Sequence, residues 1–125
     1  MNYLIDTNIC IYIMNNRPPE VVRRFSKMEL GQVGVSSITV SELQYGVSKS
    51  QRQKENQQRL DEFLLPFDIL PYDQIASIQY GDIRADLEKR GVVIGPLDLL
   101  IAAHAVCRDL VLVTNNEKEF ERIQS

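Results

Sequence analysis

The chain has no tryptophan, a single histidine and two cysteines. Those shortages remove several chemistries at once. His104, Cys10 and Cys107 cannot supply a zinc site of the usual ligands, and they offer no Cys–His pair for nucleophilic catalysis. The two cysteines lie far apart and match no metal-ligand spacing, so they read as free thiols of a reducing compartment. No glycine-rich phosphate loop is present among the 6 glycines, which leaves ATP and dinucleotide chemistry without support. No apolar run approaches the roughly 20 residues that a membrane span needs. The first apolar stretch is broken by Asp6 and lacks a basic leader and a small-residue cleavage site, so a cytoplasmic protein is expected. Positive charge is also short. The 14 basic residues are outnumbered by 17 acidic ones, for a formal net charge of −3. A domain that gripped nucleic acid by its own charge would be basic, so either nucleic acid is not the ligand or something else supplies positive charge.

What is there suits an ordinary globular protein. With 125 residues, 44% of them hydrophobic and 25% charged, the chain can bury one core and is expected to form one domain over residues 1–125. Short apolar runs at Tyr3–Ile5, Val33–Val35 and Leu110–Val113 read as strands, with Phe67–Leu70 a weaker fourth. Helical spacing lies between them. Val21, Val22, Phe25 and Met28 share a face after Pro18 and Pro19. Val40, Leu43 and Val47 share another, as do Leu60, Phe63 and Leu64, and then Ala76, Tyr80, Ile83 and Leu87. Leu97 to Val106 is apolar almost all round, the pattern of a buried helix, and Ile9 to Met14 fits a short one. Strands alternating with helices imply an α/β fold, a parallel sheet covered on both faces. In such sheets ligands sit beyond the carboxyl ends of the strands.

Most of the acids need only a solvated helix face. Three do not fit that reading. Asp6, in Leu4-Ile5-Asp6-Thr7-Asn8, ends a strand expected to be buried, although Asp-Thr-Asn is equally good turn and N-cap chemistry. Glu42 also follows a strand. Thr39-x-x-Glu42 has the spacing of a capping box, and taken alone that spacing favours the cap. Asp98 opens the most apolar helix of the chain, with no Lys or Arg on its face of that helix. A first-turn acid gains about 0.3–1 kcal/mol from the helix dipole, less than a buried unpaired carboxylate costs, so a cation is expected beside it. A fourth position, Asn116 with Glu119 behind it, again follows a strand end. It reads as an Asn-rich turn unless the other acids point to the same place.

Taken together, these segments deliver oxygen ligands to one rim. Carboxylate-rich oxygen sites suit Mg²⁺ or Mn²⁺, and the chemistry left open is divalent-ion-assisted hydrolysis of a phosphodiester. Two such ions would turn the formal charge from −3 to +1. Lys49, Arg52, Lys54 and Arg59 form one basic group and Arg23, Arg24 and Lys27 another, each able to track a phosphate backbone or simply to solvate a helix. His104 reads as a packed histidine with one hydrogen-bond partner.

Four stretches in this order, LIDTN, SSITVSELQYG, IGPLDLLIAAHA and LVTNNEKEFERI, resemble PIN domains over essentially the whole chain, and most closely the VapC toxin ribonucleases. The resemblance implies a three-layer α/β/α sandwich with a short central parallel sheet and Mg²⁺- or Mn²⁺-dependent endoribonuclease activity. It places Asp6, Glu42 and Asp98 at the family's acidic metal positions. Asn116 stands where the family often has aspartate, with Glu119 at a further acidic position, so a second ion would find a weaker site. Thr7 and Thr114 would aim the carboxylates, with Thr7 acting on Asp6, and Lys49, Arg52 and Lys54 are candidate RNA contacts. A VapB-type antitoxin is the implied partner, seated partly on Ile9, Ile11, Tyr12 and Met14; those four serve a core equally well. A homodimer is implied, and initiator tRNA, cut in its anticodon stem-loop, is the implied substrate. Two other classes remain. One is phosphotransfer on an aspartate, although Asn8 stands where an Asp-x-Asp would place its second acid and no lysine directly follows Val113. The other is a non-catalytic binding module whose acids only cap helices.

Overall fold

β1 (Tyr3–Ile5) is three residues long because it crosses the middle of the molecule, where both faces are covered. Leu4 and Ile5 are fully buried and point to opposite sides, as successive strand residues must. Leu4 packs with Ile101 and Ala105, while Ile5 packs with Ile9, Cys10, Leu43 and Leu60. In the computed structural model, which describes residues 1–123, the order continues with α1 (Thr7–Met14), α2 (Pro19–Ser26), β2 (Val33–Ser36), α3 (Ser37–Ser48) and α4 (Gln53–Leu64). β3 (Asp68–Leu70), α5 (Gln74–Lys89), α6 (Pro96–Cys107), β4 (Val111–Val113) and α7 (Glu117–Phe120) follow. Each element anticipated from periodicity forms.

The four strands are all parallel, in the order β3-β2-β1-β4. The chain builds outward from β1 through β2 to β3, then crosses to the other side of β1 for β4. Strand order therefore reverses between β1 and β4, the place where open α/β sheets hold ligands. The core of the first layer, from α1, α3 and α4, is Ile9, Cys10, Leu43, Val47 and Leu60, with α2 adding Val21 and Phe25. On the other face α6 lies against the sheet, and α5 packs on α6 through Ile83, Leu87, Leu99 and Ala103. The result is a three-layer α/β/α sandwich. The edge strands are less covered than the centre: Ile69 of β3 is 47% exposed and Val111 of β4 60%. Gly91, with φ +67°, ends α5 in the left-handed conformation that glycine adopts without strain. No helix is long and apolar enough to cross a membrane among the described residues.

Candidate active site

Register sets the first row of the site. Ile5 is level with Val35 of β2 and with Val113 of β4, so Asp6, Ser36 and Thr114 emerge side by side at the carboxyl ends of three neighbouring strands. Asp6 extends the ladder by one bond, its N–H donating to the Val113 carbonyl at 3.1 Å. Its side chain then turns into the N-cap of α1, Oδ1 accepting from the Ile9 N–H at 2.9 Å. Cap and site are thus the same residue. Asp6 is only 3% exposed. Burial raises its pKa above the ordinary carboxyl value, and hydrogen bonds from the Thr114 hydroxyl and the Ile9 N–H offset part of that rise.

Glu42 does not cap its helix. α3 starts earlier than the Thr39-x-x-Glu42 spacing suggests: its N-cap is Ser36, whose Oγ accepts from the Ile38 N–H at 3.1 Å. Thr39 is buried within the first turn, and Glu42 lies in the second. There its Oε1 accepts from the Thr7 hydroxyl at 2.8 Å, and Thr7 also approaches the Thr39 hydroxyl at 3.4 Å. This reassigns Thr7. It aims Glu42 rather than the adjacent Asp6, and Thr114 serves Asp6.

The third and fourth acids meet on the far side of the rim. Asp98 stands in the first turn of α6, half-buried rather than enclosed. Glu119 of α7 reaches back to the start of α6, accepting hydrogen bonds from the Gly95 N–H and from the Asn116 side-chain amide. Asn116 is the N-cap residue of α7, and its amide holds Glu119 in place. Glu119 titrates below its usual range, chiefly through the Gly95 N–H and then the Asn116 amide. Asp98 is pushed the other way, first by burial, then by the negative charges of Glu119, Asp6 and Glu42, and by a hydrogen bond shared with Glu119.

Asp98 therefore feels the charge of three carboxylates from three other segments. None of the four forms an ion pair among the described residues. A hard divalent cation fits this donor set: all-oxygen, rich in carboxylate, and short of positive charge. Among the described residues no three acidic, histidine or cysteine side chains stand close enough together to hold an ion as they are.

None of the basic candidates forms an ion pair with the four acids among the described residues, and Arg59 lines a cleft together with Glu42. Arg52 pairs with Glu55 at 3.6 Å on an exposed surface, Lys54 is exposed, and the Lys49 ammonium rests 4.9 Å from the Tyr45 ring centroid. Arg59 donates to the Met14 carbonyl. Of the four early apolar residues, Ile9 is core, while Ile11, Tyr12 and Met14 are partly open. A cleft of about 330 Å³ beside the site is lined by Ile9, Phe25, Met28, Arg24, Thr114 and Glu117, and it contains none of Asp6, Glu42 and Asp98. His104 is buried, its Nδ1 2.8 Å from the Ser36 Oγ, and its Nε2 has no partner among the described residues. Both cysteines are free. Two links escape sequence reasoning, Gly95 to Glu119 and Ser36 to His104, because each joins residues far apart in the chain.

The PIN-domain family model matches residues 3–125. Ribonuclease VapC2 of Rickettsia felis is 44% identical over 127 residues, covering 98% of this chain and 92% of its own. The tRNA(fMet)-specific endonuclease VapC of Shigella flexneri is 42% identical over 123 residues with the same coverage. The solved structure of DNA-bound VapBC from Salmonella typhimurium superposes with a TM-score of 0.91 at 41% identity, over 98% of this chain and 92% of that one. A parallel α/β/α sandwich with acids at its switch point is what the PIN fold provides, and the chain belongs to the PIN-domain family, among its VapC ribonucleases.

Proposed function

We propose that this chain is the toxin of a toxin–antitoxin pair, an endoribonuclease that hydrolyses a phosphodiester of tRNA with the help of Mg²⁺ or Mn²⁺. The observation that carries the reading is the convergence of Asp6, Glu42, Asp98 and Glu119 at the carboxyl ends of β1, β2 and β4, with Asp98 titrating high beside the other three. Asp6, Glu42 and Asp98 are the residues that would hold the ion, and Glu119 with Asn116 would extend the site toward a second. When bound, a divalent ion there supplies charge neutralisation, activation of water and stabilisation of the leaving oxygen. The chain's own groups do the rest. Thr7 fixes Glu42, hydrogen bonds from Thr114 and the Ile9 N–H offset part of the rise that burial causes in the Asp6 pKa, and Asn116 and the Gly95 N–H hold Glu119.

Initiator tRNA is the preferred substrate within this reading, supported by the name of the Shigella flexneri relative, and its anticodon stem-loop offers unpaired bases that a protein can grasp. A VapB-type antitoxin is the proposed partner, supported by similarity to VapBC complexes, and a homodimer is the proposed assembly. The test is to incubate purified protein with total tRNA in Mg²⁺ and sequence the new 5′ ends. The expected ends fall within one tRNA species and vanish in EDTA and with Asp6→Asn. Equal cleavage by Asp6→Asn, with contaminating nuclease excluded, would overturn the assignment.

A further inference from the structure

α3 carries more on the face of Glu42 than Glu42 itself. Tyr45 follows Glu42 by three residues and Lys49 by seven, so the three side chains form one ridge along about 10 Å of helix. Leu43 and Val47, buried in the core, fix the opposite face, so the ridge faces away from the core. Tyr45 is 66% exposed. Every other Tyr and Phe among the described residues is buried or partly covered by its neighbours. Lys49 forms no ion pair among the described residues; its ammonium instead sits 4.9 Å from the centroid of the Tyr45 ring. An aromatic face with a cation beside it suits one kind of ligand in particular. An unpaired nucleotide presents a base to stack on the ring and a phosphate for the ammonium. A double helix hides its base faces and cannot use the ring.

We propose that Tyr45 and Lys49 form a nucleotide-binding subsite next to the cleavage site, Tyr45 stacking on an unpaired base of the RNA and Lys49 contacting that nucleotide's phosphate. The proposal rests on the ribonuclease reading above and assigns to it two residues that position the substrate.

The chain contains no tryptophan, so Tyr45→Trp places a sole tryptophan, excited selectively over the tyrosines, at the subsite. In EDTA, which keeps RNA intact, a tRNA anticodon stem-loop oligonucleotide should quench its emission saturably. A fully paired RNA of equal length should quench it far less. Leu65→Trp, 81% exposed and near the amino-terminal end of β3 at the opposite end of the sheet, should not respond. In Mg²⁺ turnover, Tyr45→Ala should raise KM about tenfold with kcat nearly unchanged, and Tyr45→Phe should restore it. Lys49→Gln should reduce the salt slope of binding by about one phosphate contact. Emission that stays constant while the oligonucleotide binds by gel shift, or a Tyr45→Ala KM equal to wild type, overturns the subsite. Absence of any cleavage by the wild type contradicts the ribonuclease reading instead, and the EDTA titration reports on the subsite independently of it.

Discussion

Asp6 and Asp98 stand at the same rim and are pushed in the same direction by burial, yet they are held in opposite ways. Asp6 is locked by backbone: one row past the ladder, capping α1, almost without solvent, and stabilised as a carboxylate by neutral donors. Asp98 is half open and surrounded by negative charge, and it hydrogen-bonds a second acid. One half of the site is built and the other is poised. Neutral donors can hold a single carboxylate ionised in a buried place. Several carboxylates together need a cation, or one of them keeps a proton. The charge deficit on the Asp98 side therefore implies an ion more strongly than the buried position of Asp6 does.

The largest effect should come from breaking the built half without disturbing the fold. Asn caps a helix about as well as Asp, so Asp6→Asn should leave the melting temperature unchanged or slightly raised while RNA cleavage falls by about 10²–10³-fold. A gel-based cleavage assay alongside thermal melting checks both. Next comes the link between the halves. Thr7→Val removes the hydrogen bond that aims Glu42, and Mn²⁺ affinity measured by calorimetry should weaken by about 10- to 100-fold. A smaller change is expected in the poised half. Glu119→Gln removes the strongest of the negative charges acting on Asp98, so the Asp98 carboxyl, followed by ¹³C NMR without divalent ions, should titrate at lower pH than in the wild type.

The smallest effect is on stability, and its sign is fixed. A carboxyl whose pKa rises on folding favours the native state while protonated. That contribution is complete below the ordinary carboxyl range, at about pH 4, and is lost as pH rises through the elevated native value. Asp98 is such a group. Relative to Asp98→Asn, wild type in EDTA should therefore lose melting temperature as pH rises out of the acid range. Mn²⁺ should restore it near neutrality and do little at about pH 4. His104 has the opposite slope. Burial lowers its pKa, so its contribution is present above about pH 6.5 and is lost as pH falls through the depressed native value.

Much of the fold is legible in the sequence because the central strands are buried on both faces. Leu4-Ile5 and Val33-Gly34-Val35 appear as unbroken apolar runs, and the helical spacing around them is regular. Asp6 is legible for the same reason, since it follows an apolar run at once, and Asp98 because it stands in the first turn of the most apolar helix. Glu42 is where local spacing misleads. Thr39-x-x-Glu42 imitates a capping box, while the true cap, Ser36, is the last residue of β2. The role of Thr7 is hidden because its partner is 35 residues away, and nothing in LIDTN distinguishes an aimed neighbour from a distant one. The link from Glu119 to Gly95 depends on α7 folding back to the start of α6, which no periodicity encodes. Tyr45 stands out only once burial is known, since tyrosine at that spacing reads equally well as core.

The central claim is that the four acids form one site that requires a cation. Mn²⁺ binding by calorimetry, with the anticodon stem-loop oligonucleotide present and absent, tests it most directly when wild type is compared with Asp98→Asn. Saturable binding by the wild type and its loss in the variant is the predicted result. No binding to the wild type under either condition, or equal binding by both proteins, would contradict it.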